Sequence, residues 1–388
     1  MNATKRSAHV AVAGRFPEPI TGQSLATANL CKLLSQQYAV RKIAMGKEHA
    51  AATTEEVTGL RRSSAFCALE YANAIRRSRN TCIIYANISA SVKGHARDWL
   101  VYALGGWSDR KVIAVVHNGD LVDRLENSSL GRTWRMLCRQ VDLVVTVSPS
   151  LARRAERTVP DTDVVFVPNV IDAEIEFTRQ RVKRAIRRRV RRKELRLVFV
   201  GCLMKPKGYA DVLAAVGIAR ERDLPVSAVF VGRWASEAEC SEAEAFVRRR
   251  GIGSRVKFVG EVSCRKVLRS ILGNSDVMLL PSYYRHEAMP MSLVEGANAG
   301  LVLVGTDHGG IGDLVRDGVT GRLVPARDPE YLARTLELLA QDEKECERLS
   351  IGARAEYEEI WSRDNAAKQW MAIVKRYCCD RSSSTSAG

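Results

Sequence analysis

Short apolar runs alternate with stretches of helical periodicity along the chain. HVAVAG (9–14), TCIIYA (81–86), VIAVVHN (112–118), DLVVTVS (142–148) and DVVFVPN (163–169) are nearly unbroken runs of β-branched and other apolar residues. Strands covered on both faces read this way. Helical patterns lie between them, at about Gln23 to Gln36, 64–78, 93–104, 130–140 and 150–157. The pattern then restarts with LRLVFVG (195–201), VSAVFVG (226–232), VKFVGEV (256–262), DVMLLPS (276–282) and LVLVGTD (301–307). Its helices fall at about 208–222, 236–250, 264–273 and 290–299, and helical periodicity resumes from Pro329 to Cys379.

Strands alternating with helices predict parallel sheets with helices on both faces. The restart predicts an α/β chain of two tandem doubly wound, Rossmann-like domains facing across a cleft. The expected divisions are a first domain at 1–172, a basic linker or helix at 173–194 and a second domain at 195–360. A C-terminal helix at 361–380 is expected to pack back on the first domain, and 381–388 reads as a disordered polar tail. Doubly wound sheets bind ligands at the carboxyl ends of their strands. Two such sheets suggest an enzyme that brings two substrates together.

Composition narrows the class. The 388 residues are 46% hydrophobic and 27% charged, as in folded proteins. No apolar run approaches the ~18 residues of a membrane-spanning helix. The start, MNATKRSAHVAVAG, lacks a signal-peptide core, so a cytoplasmic setting is expected. The ten cysteines contain no C-x-x-C, which speaks against a zinc site or a disulfide framework. The net charge of +16 favours anionic partners. Ten basic residues and no acid lie between Arg179 and Lys193. Val182, Ile186 and Val190 recur there at helical spacing, so the segment is either an amphipathic helix on anionic lipid or a helix with its stripe packed inward. No aromatic interleaving supports nucleic acid.

The chemistry concentrates in PSYYRHEAMPMSLVEGANAG (281–300). Glu287 follows a strand and Glu295 sits in the next helix. Between them, a helix N-terminus offers unpaired N–H groups and a positive dipole, suited to a diphosphate. Carboxylates on either side can accept hydrogen bonds from sugar or ribose hydroxyls. Upstream, GCLMKPKGYADVLAA (201–215) presents Lys207 and Gly208 at another strand-to-helix junction. Downstream, GTDHGGIGDLVRDGVTGRLV (305–324) reads as a glycine-rich loop, a turn and an edge strand.

In order, Gly-x-Leu-x-x-x-Lys-Gly, Glu-x₇-Glu, Gly-Gly-x-x-Asp and Asp-Gly-x-x-Gly resemble glycosyltransferase family 4, a retaining, nucleotide-sugar-dependent group of GT-B fold. TGQS (21–24), HNGD (117–120), VSPS (147–150) and PNVID (168–172) are similar to the family's N-terminal loops, so the resemblance covers about 9–372. It implies that Glu287 holds donor-sugar hydroxyls and that the backbone of Ala288, Met289, Pro290 and Met291 cradles the diphosphate. Glu295 would bind the ribose, and Lys207 would neutralise the departing diphosphate. The Gly22 loop would close over the phosphates, and His117 would lie by the reacting sugar with Asn118 on the acceptor side. The base would stack near Val262. The first domain would take the acceptor. The implied reaction moves a sugar from a UDP- or GDP-sugar to a hydroxyl of a glycan or polyprenyl-linked acceptor, without a metal or other cofactor. The implied setting is bacterial exopolysaccharide or lipopolysaccharide synthesis, with the enzyme peripheral on the inner face of the cell membrane. A nucleotide-sugar epimerase or hydrolase, or a non-catalytic partner subunit, are the rival readings.

Two positions depart from the family pattern. Cys202 stands where the family commonly has Arg, with Lys205 or Arg233 as candidate substitutes, and Gly312-Asp313 replaces Pro-Glu. The D-x-D at Asp161-Thr162-Asp163 reads as a turn after Pro160 rather than a metal site. His9, His49, His95 and His308 read as structural or surface residues, and the glycines at 309–312 as a tight turn.

Overall fold

The computed structural model describes residues 9–17, 21–45, 64–77, 82–86, 88–89, 91–104, 110–127, 131–190 and 192–379. His49 and the 381–388 tail lie outside these residues. The chain divides into two units, Met1–Val170 with Arg363–Gly388, and Ile171–Ser362.

The first unit is built on six parallel strands: β1 (His9–Gly14), β2 (Ala39–Ala44), β3 (Cys82–Tyr85), β4 (Lys111–Val116), β5 (Leu143–Thr146) and β6 (Val164–Phe166). Their order is β2-β1-β3-β4-β5-β6. β3 and β5 are buried at every position, and β1 and β4 everywhere but the first residue. Helices therefore cover both faces: α1 (Gly22–Leu34), α2 (Ser64–Arg77), α3 (Val92–Leu104), α4 (Gly119–Asn127), α5 (Gly131–Cys138) and α6 (Pro149–Thr158). The core on one face gathers Ile43, Tyr71, Ile75, Ile83, Val112 and Trp134.

Two elements escaped the sequence pattern. β2 exposes Arg41 and Lys42 and buries only Ile43, as an edge strand does. α4 opens where the Asn118 side chain accepts from the Asp120 N–H (2.9 Å), one residue after the predicted strand 112–118 was expected to end.

The second unit opens with α7 (Arg179–Val190) and contains β7 (Leu195–Val200), α8 (Tyr209–Glu221), β8 (Val226–Val231), α9 (Glu237–Arg250) and β9 (Val256–Gly260). It continues with α10 (Arg265–Asn274), β10 (Val277–Leu280), α11 (Met291–Asn298), β11 (Val302–Gly305), α12 (Ile311–Leu314), β12 (Gly321–Leu323), α13 (Pro329–Gln341) and α14 (Glu343–Glu356). The strands are again all parallel, in the order β12-β11-β10-β7-β8-β9. The predicted edge strand after the 305–320 loop is β12. α15 (Arg363–Val374) belongs to the first unit, where Tyr377 beyond it donates to Asp163 (3.2 Å).

In both sheets the strand order reverses once, between β1 and β3 and between β7 and β10. Loops leave the sheet to opposite sides at such a point and open a crevice at the carboxyl ends of the two strands.

α7 carries the basic run. Val182, Ala185 and Ile186 are buried, so the apolar stripe packs inward and is not available for insertion into lipid. Arg189 is buried as well, 8% exposed, and donates to the carbonyls of Gly300 (2.5 Å) and Ala299 (3.2 Å) at the end of α11. It satisfies carbonyls that a helix end leaves unpaired. Burial lowers its pKa to about 10, which leaves it charged at neutral pH.

Candidate active site

The reversal between β7 and β10 places two loops side by side, one following each strand. After β7, a short 3-10 turn Lys205–Lys207 leads through Gly208 into α8. Gly208 has φ +84°, and a Cβ there would lie 2.4 Å from the Pro281 carbonyl oxygen of the β10 loop. The loops are further joined by Tyr283 N–H to Pro206 O (2.8 Å). This contact delivers Lys207 to Glu287: Nζ lies 2.5 Å from Oε2, and both side chains are largely buried.

Glu287 is held from three sides. Ser282 Oγ donates to the same Oε2 (3.0 Å), and the Glu287 N–H turns back to Tyr284 O (2.9 Å). The third side is the loop after β11. There Gly309 has φ +59°, and a Cβ would come within 2.3 Å of the Glu287 carbonyl oxygen. His308 Nε2 bonds the Tyr284 carbonyl at 2.9 Å, so this histidine serves the loop's structure. The glycines at 309–312 thus include one that does more than turn the chain.

Ala288, Met289, Pro290 and Met291 bury their side chains, so what they can offer a ligand is main chain. Pro290 caps α11 without any side-chain hydrogen bond. The first turn of α11 therefore keeps N–H groups that no helical carbonyl reaches. Four residues further in, Glu295 is 3% exposed and bonded to Arg265 at the start of α10. Burial raises its pKa, and Arg265 opposes that rise.

Two expected residues sit elsewhere than the sequence suggested. Lys205 points to α9, where its Nζ meets Glu242 at 2.7 Å on the exposed surface, and it makes no ion pair with Glu287. Val262 was placed at the end of a strand spanning 256–262, but β9 stops at Gly260. Gly260 has φ +78°, a conformation that does not continue a strand, and Val262 lies half-buried in the loop before α10. Sequence reasoning missed Ser282 and Arg265. Ser282 was in view within the motif. Arg265 lies 30 residues from Glu295 and carries no local signal.

In the first unit, TGQS is a capping box. Thr21 Oγ1 accepts from the Ser24 N–H (3.1 Å) and Ser24 Oγ accepts from the Thr21 N–H (2.9 Å). This sets Gly22 at the first turn of α1, at the β1–β3 reversal, where Gln23 donates to the Ala86 carbonyl (2.9 Å). VSPS caps α6 through Ser148. His117 and Asn118 follow β4 and are half-buried, and burial lowers the His117 pKa to about 4, so the ring is neutral at pH 7. The Asp161-Thr162-Asp163 segment is a turn. Its carboxylates are engaged by Arg139 (2.8 Å to Asp161) and by Tyr377 and Arg376 (3.2 and 3.7 Å to Asp163).

The chain resembles known proteins over most of its length. Residues 20–175 match the family described as Glycosyltransferase Family 4, and residues 182–356 match Glycosyl transferases group 1. The N-acetyl-alpha-D-glucosaminyl L-malate synthase of Bacillus anthracis is 27% identical over 68% of this chain and 67% of its own. The amylovoran biosynthesis glycosyltransferase AmsK of Erwinia amylovora is 28% identical over 47% of this chain and 45% of its own. The chain thus spans about two thirds of the first relative and less than half of the second. The crystal structure of Anabaena HepE in complex with UDP superposes with a TM-score of 0.68 at 15% identity, covering 95% of this chain and all of that one. The sucrose-phosphate synthase of Thermosynechococcus elongatus gives 0.73 at 17% identity, covering 95% and 98%. Two all-parallel, doubly wound sheets, the reversal-point loops bearing Lys207 and Glu287, and two family models that together span most of the chain lead to one conclusion: the chain belongs to glycosyltransferase family 4, the retaining, nucleotide-sugar-dependent enzymes of GT-B fold.

Proposed function

We propose that this enzyme transfers a sugar, with retention, from a UDP- or GDP-sugar to a hydroxyl of a glycan or polyprenyl-linked acceptor, in synthesis of a bacterial surface polysaccharide. The observation that carries the donor side is the Lys207–Glu287 pair beside the uncapped N-terminus of α11. The barrier to transfer lies mainly in separating charge as the sugar–phosphate bond breaks. Preorganised cations and N–H dipoles at the diphosphate lower that barrier directly. Lys207 meets the charge left on the diphosphate, and main chain from Ala288 to Met291 holds its oxygens. Glu287 accepts from sugar hydroxyls and Glu295 from the ribose. His117, neutral at pH 7, offers a hydrogen bond at the reacting sugar without adding charge, with Asn118 on the acceptor side. Gly22 leaves room for phosphate oxygens against the first turn of α1.

The relatives support the setting. AmsK is named for amylovoran biosynthesis, and a Salmonella typhimurium relative, 23% identical, for colanic acid biosynthesis. Among the described residues no helix is long and apolar enough to cross a membrane. Attachment to the inner face of the membrane is therefore proposed to be electrostatic, through the exposed Lys183, Arg184 and Arg187 of α7.

A thermal-shift screen with UDP, GDP and ADP identifies the nucleotide, because a ligand that binds the native state raises its stability. Product analysis by NMR with and without acceptor follows. The expected product is an acceptor glycoside with the donor's anomeric configuration. Free or epimerised sugar irrespective of acceptor would favour the hydrolase or epimerase. Nucleotide binding without turnover on any acceptor would favour a non-catalytic subunit.

A further inference from the structure

Charge balance at the Lys207–Glu287 pair leaves the donor site short of cations. Lys207 already touches a carboxylate, so the pair is neutral, whereas a nucleoside diphosphate is multiply anionic. Another cation on the same sheet edge is supplied by the way β7 and β8 leave the sheet. They continue to pair beyond their last strand residues. Gly201 N–H donates to Val231 O (2.9 Å), Leu203 N–H to Arg233 O (2.8 Å) and Ala235 N–H to Leu203 O (3.0 Å). Leu203 and Trp234 form an isolated parallel bridge. The two backbones approach so closely that a Cβ on Gly232 would lie 1.8 Å from the Gly201 carbonyl oxygen.

This zipper carries Arg233 to the side of Cys202, on the loop that ends in Lys207. We propose that Arg233 is a second diphosphate-binding cation of this enzyme, supplied by the β8 loop next to the uncharged Cys202. The inference rests on the nucleotide-sugar reading above. Arg233 is exposed and forms no ion pair among the described residues. The Cys202 thiol senses the positive charges of both Arg233 and Lys207. Both cations therefore act on one point of the loop. Glu239 faces the same thiol, and its carboxylate accepts from the Lys205 N–H (3.3 Å). Lys205, the other cation of the loop, is held by Glu242. A guanidinium can offer two parallel donors to a phosphate, which a thiol cannot.

The test is calorimetric titration of UDP and GDP into the wild-type protein, Arg233→Gln, Lys205→Ala, and Arg233→Gln combined with Cys202→Arg. Binding of the matching nucleoside is followed by NMR. Arg233→Gln is expected to weaken the diphosphate by about tenfold to a hundredfold, the range of a lost charge-assisted contact. Nucleoside binding should stay the same, and the added Cys202→Arg should recover most of the loss. Unchanged diphosphate affinity in Arg233→Gln overturns the assignment, as does an equal loss for diphosphate and nucleoside. A loss from Lys205→Ala with none from Arg233→Gln transfers the role to Lys205. Failure of both UDP and GDP to bind the wild-type protein overturns the nucleotide reading itself, and this assignment falls with it.

Discussion

Glu287 and Glu295 lie on one segment, both buried, but their surroundings ask different things of them. Glu287 is a hub of loop contacts, with Lys207 and Ser282 on one carboxylate oxygen. Glu295 is inside α11 and neutralises Arg265, itself mostly buried. In the proposed role Glu287 contacts the sugar at the reacting end, so Glu287→Ala should chiefly lower kcat. In the proposed role Glu295 contacts the ribose, and its removal also leaves Arg265 mostly buried without its counter-charge. Breaking a buried pair from one side costs roughly 3 kcal/mol. Glu287→Ala likewise strands the largely buried Lys207, so both variants should lower the urea midpoint, while Glu295→Ala alone should chiefly weaken nucleotide binding. Steady-state kinetics and urea melts on both variants check this, and wild-type kinetics in both would sink the site. At this scale the motif spacing made Glu287, Glu295 and Lys207 legible. Arg265 and the direction of Lys205 were not, because each depends on a partner brought near only by folding.

Among the elements, α7 separates composition from role. It holds seven basic residues around an apolar stripe that the sequence left open to lipid or to inward packing, and the helix period turns Val182, Ile186 and Arg189 toward the second unit's interior. Arg189 then belongs to the end of α11, while Lys183, Arg184 and Arg187 stay exposed. The two sets should respond differently to substitution. Arg189→Ser leaves the carbonyls of Ala299 and Gly300 without this donor and should destabilise the protein by about 1–3 kcal/mol. Changing Lys183, Arg184 and Arg187 together to Ser should leave stability within about 0.5 kcal/mol. The same triple change should sharply reduce co-sedimentation with anionic vesicles, since each basic residue near such a surface contributes about 1 kcal/mol, screened by salt. Equal binding of the wild-type protein to neutral vesicles, or vesicle binding unaffected by the triple change, would contradict the electrostatic account.

For the molecule as a whole, acid sensitivity follows from histidines kept neutral. His95 is 6% exposed, stacked on Trp134 at 3.7 Å, and its Nε2 accepts from Trp99 Nε1 (3.0 Å). A proton on Nε2 would set two donors against each other. Burial lowers its pKa to about 4, from about 6.5 when unfolded. Between these values the unfolded chain binds the proton and the folded chain does not. The stability due to His95 is therefore complete above pH 6.5 and is lost as pH falls toward 4, by up to about 1.4 kcal/mol per pH unit. His117 acts in the same direction. Urea melts at pH 7, 6, 5 and 4.5 should show this decline, and His95→Gln should flatten it; an unchanged slope would refute the account. The alternation of buried strands with amphipathic helices, and four ordered motifs in the loops between strands and helices, determined the fold class and the family from sequence alone and singled out Glu287, Glu295 and Lys207 as candidates. Strand burial on both faces and loop motifs are local properties, so they are written in consecutive residues. The edge strand β2 stayed hidden because it buries one side chain in six. The order of strands, the meeting of Lys207 with Glu287, the inward turn of Arg189 and the placing of Arg233 beside Cys202 were decided only by tertiary structure. Each joins segments distant in the chain or one helix face to its neighbour, and no local pattern of residues encodes such a contact.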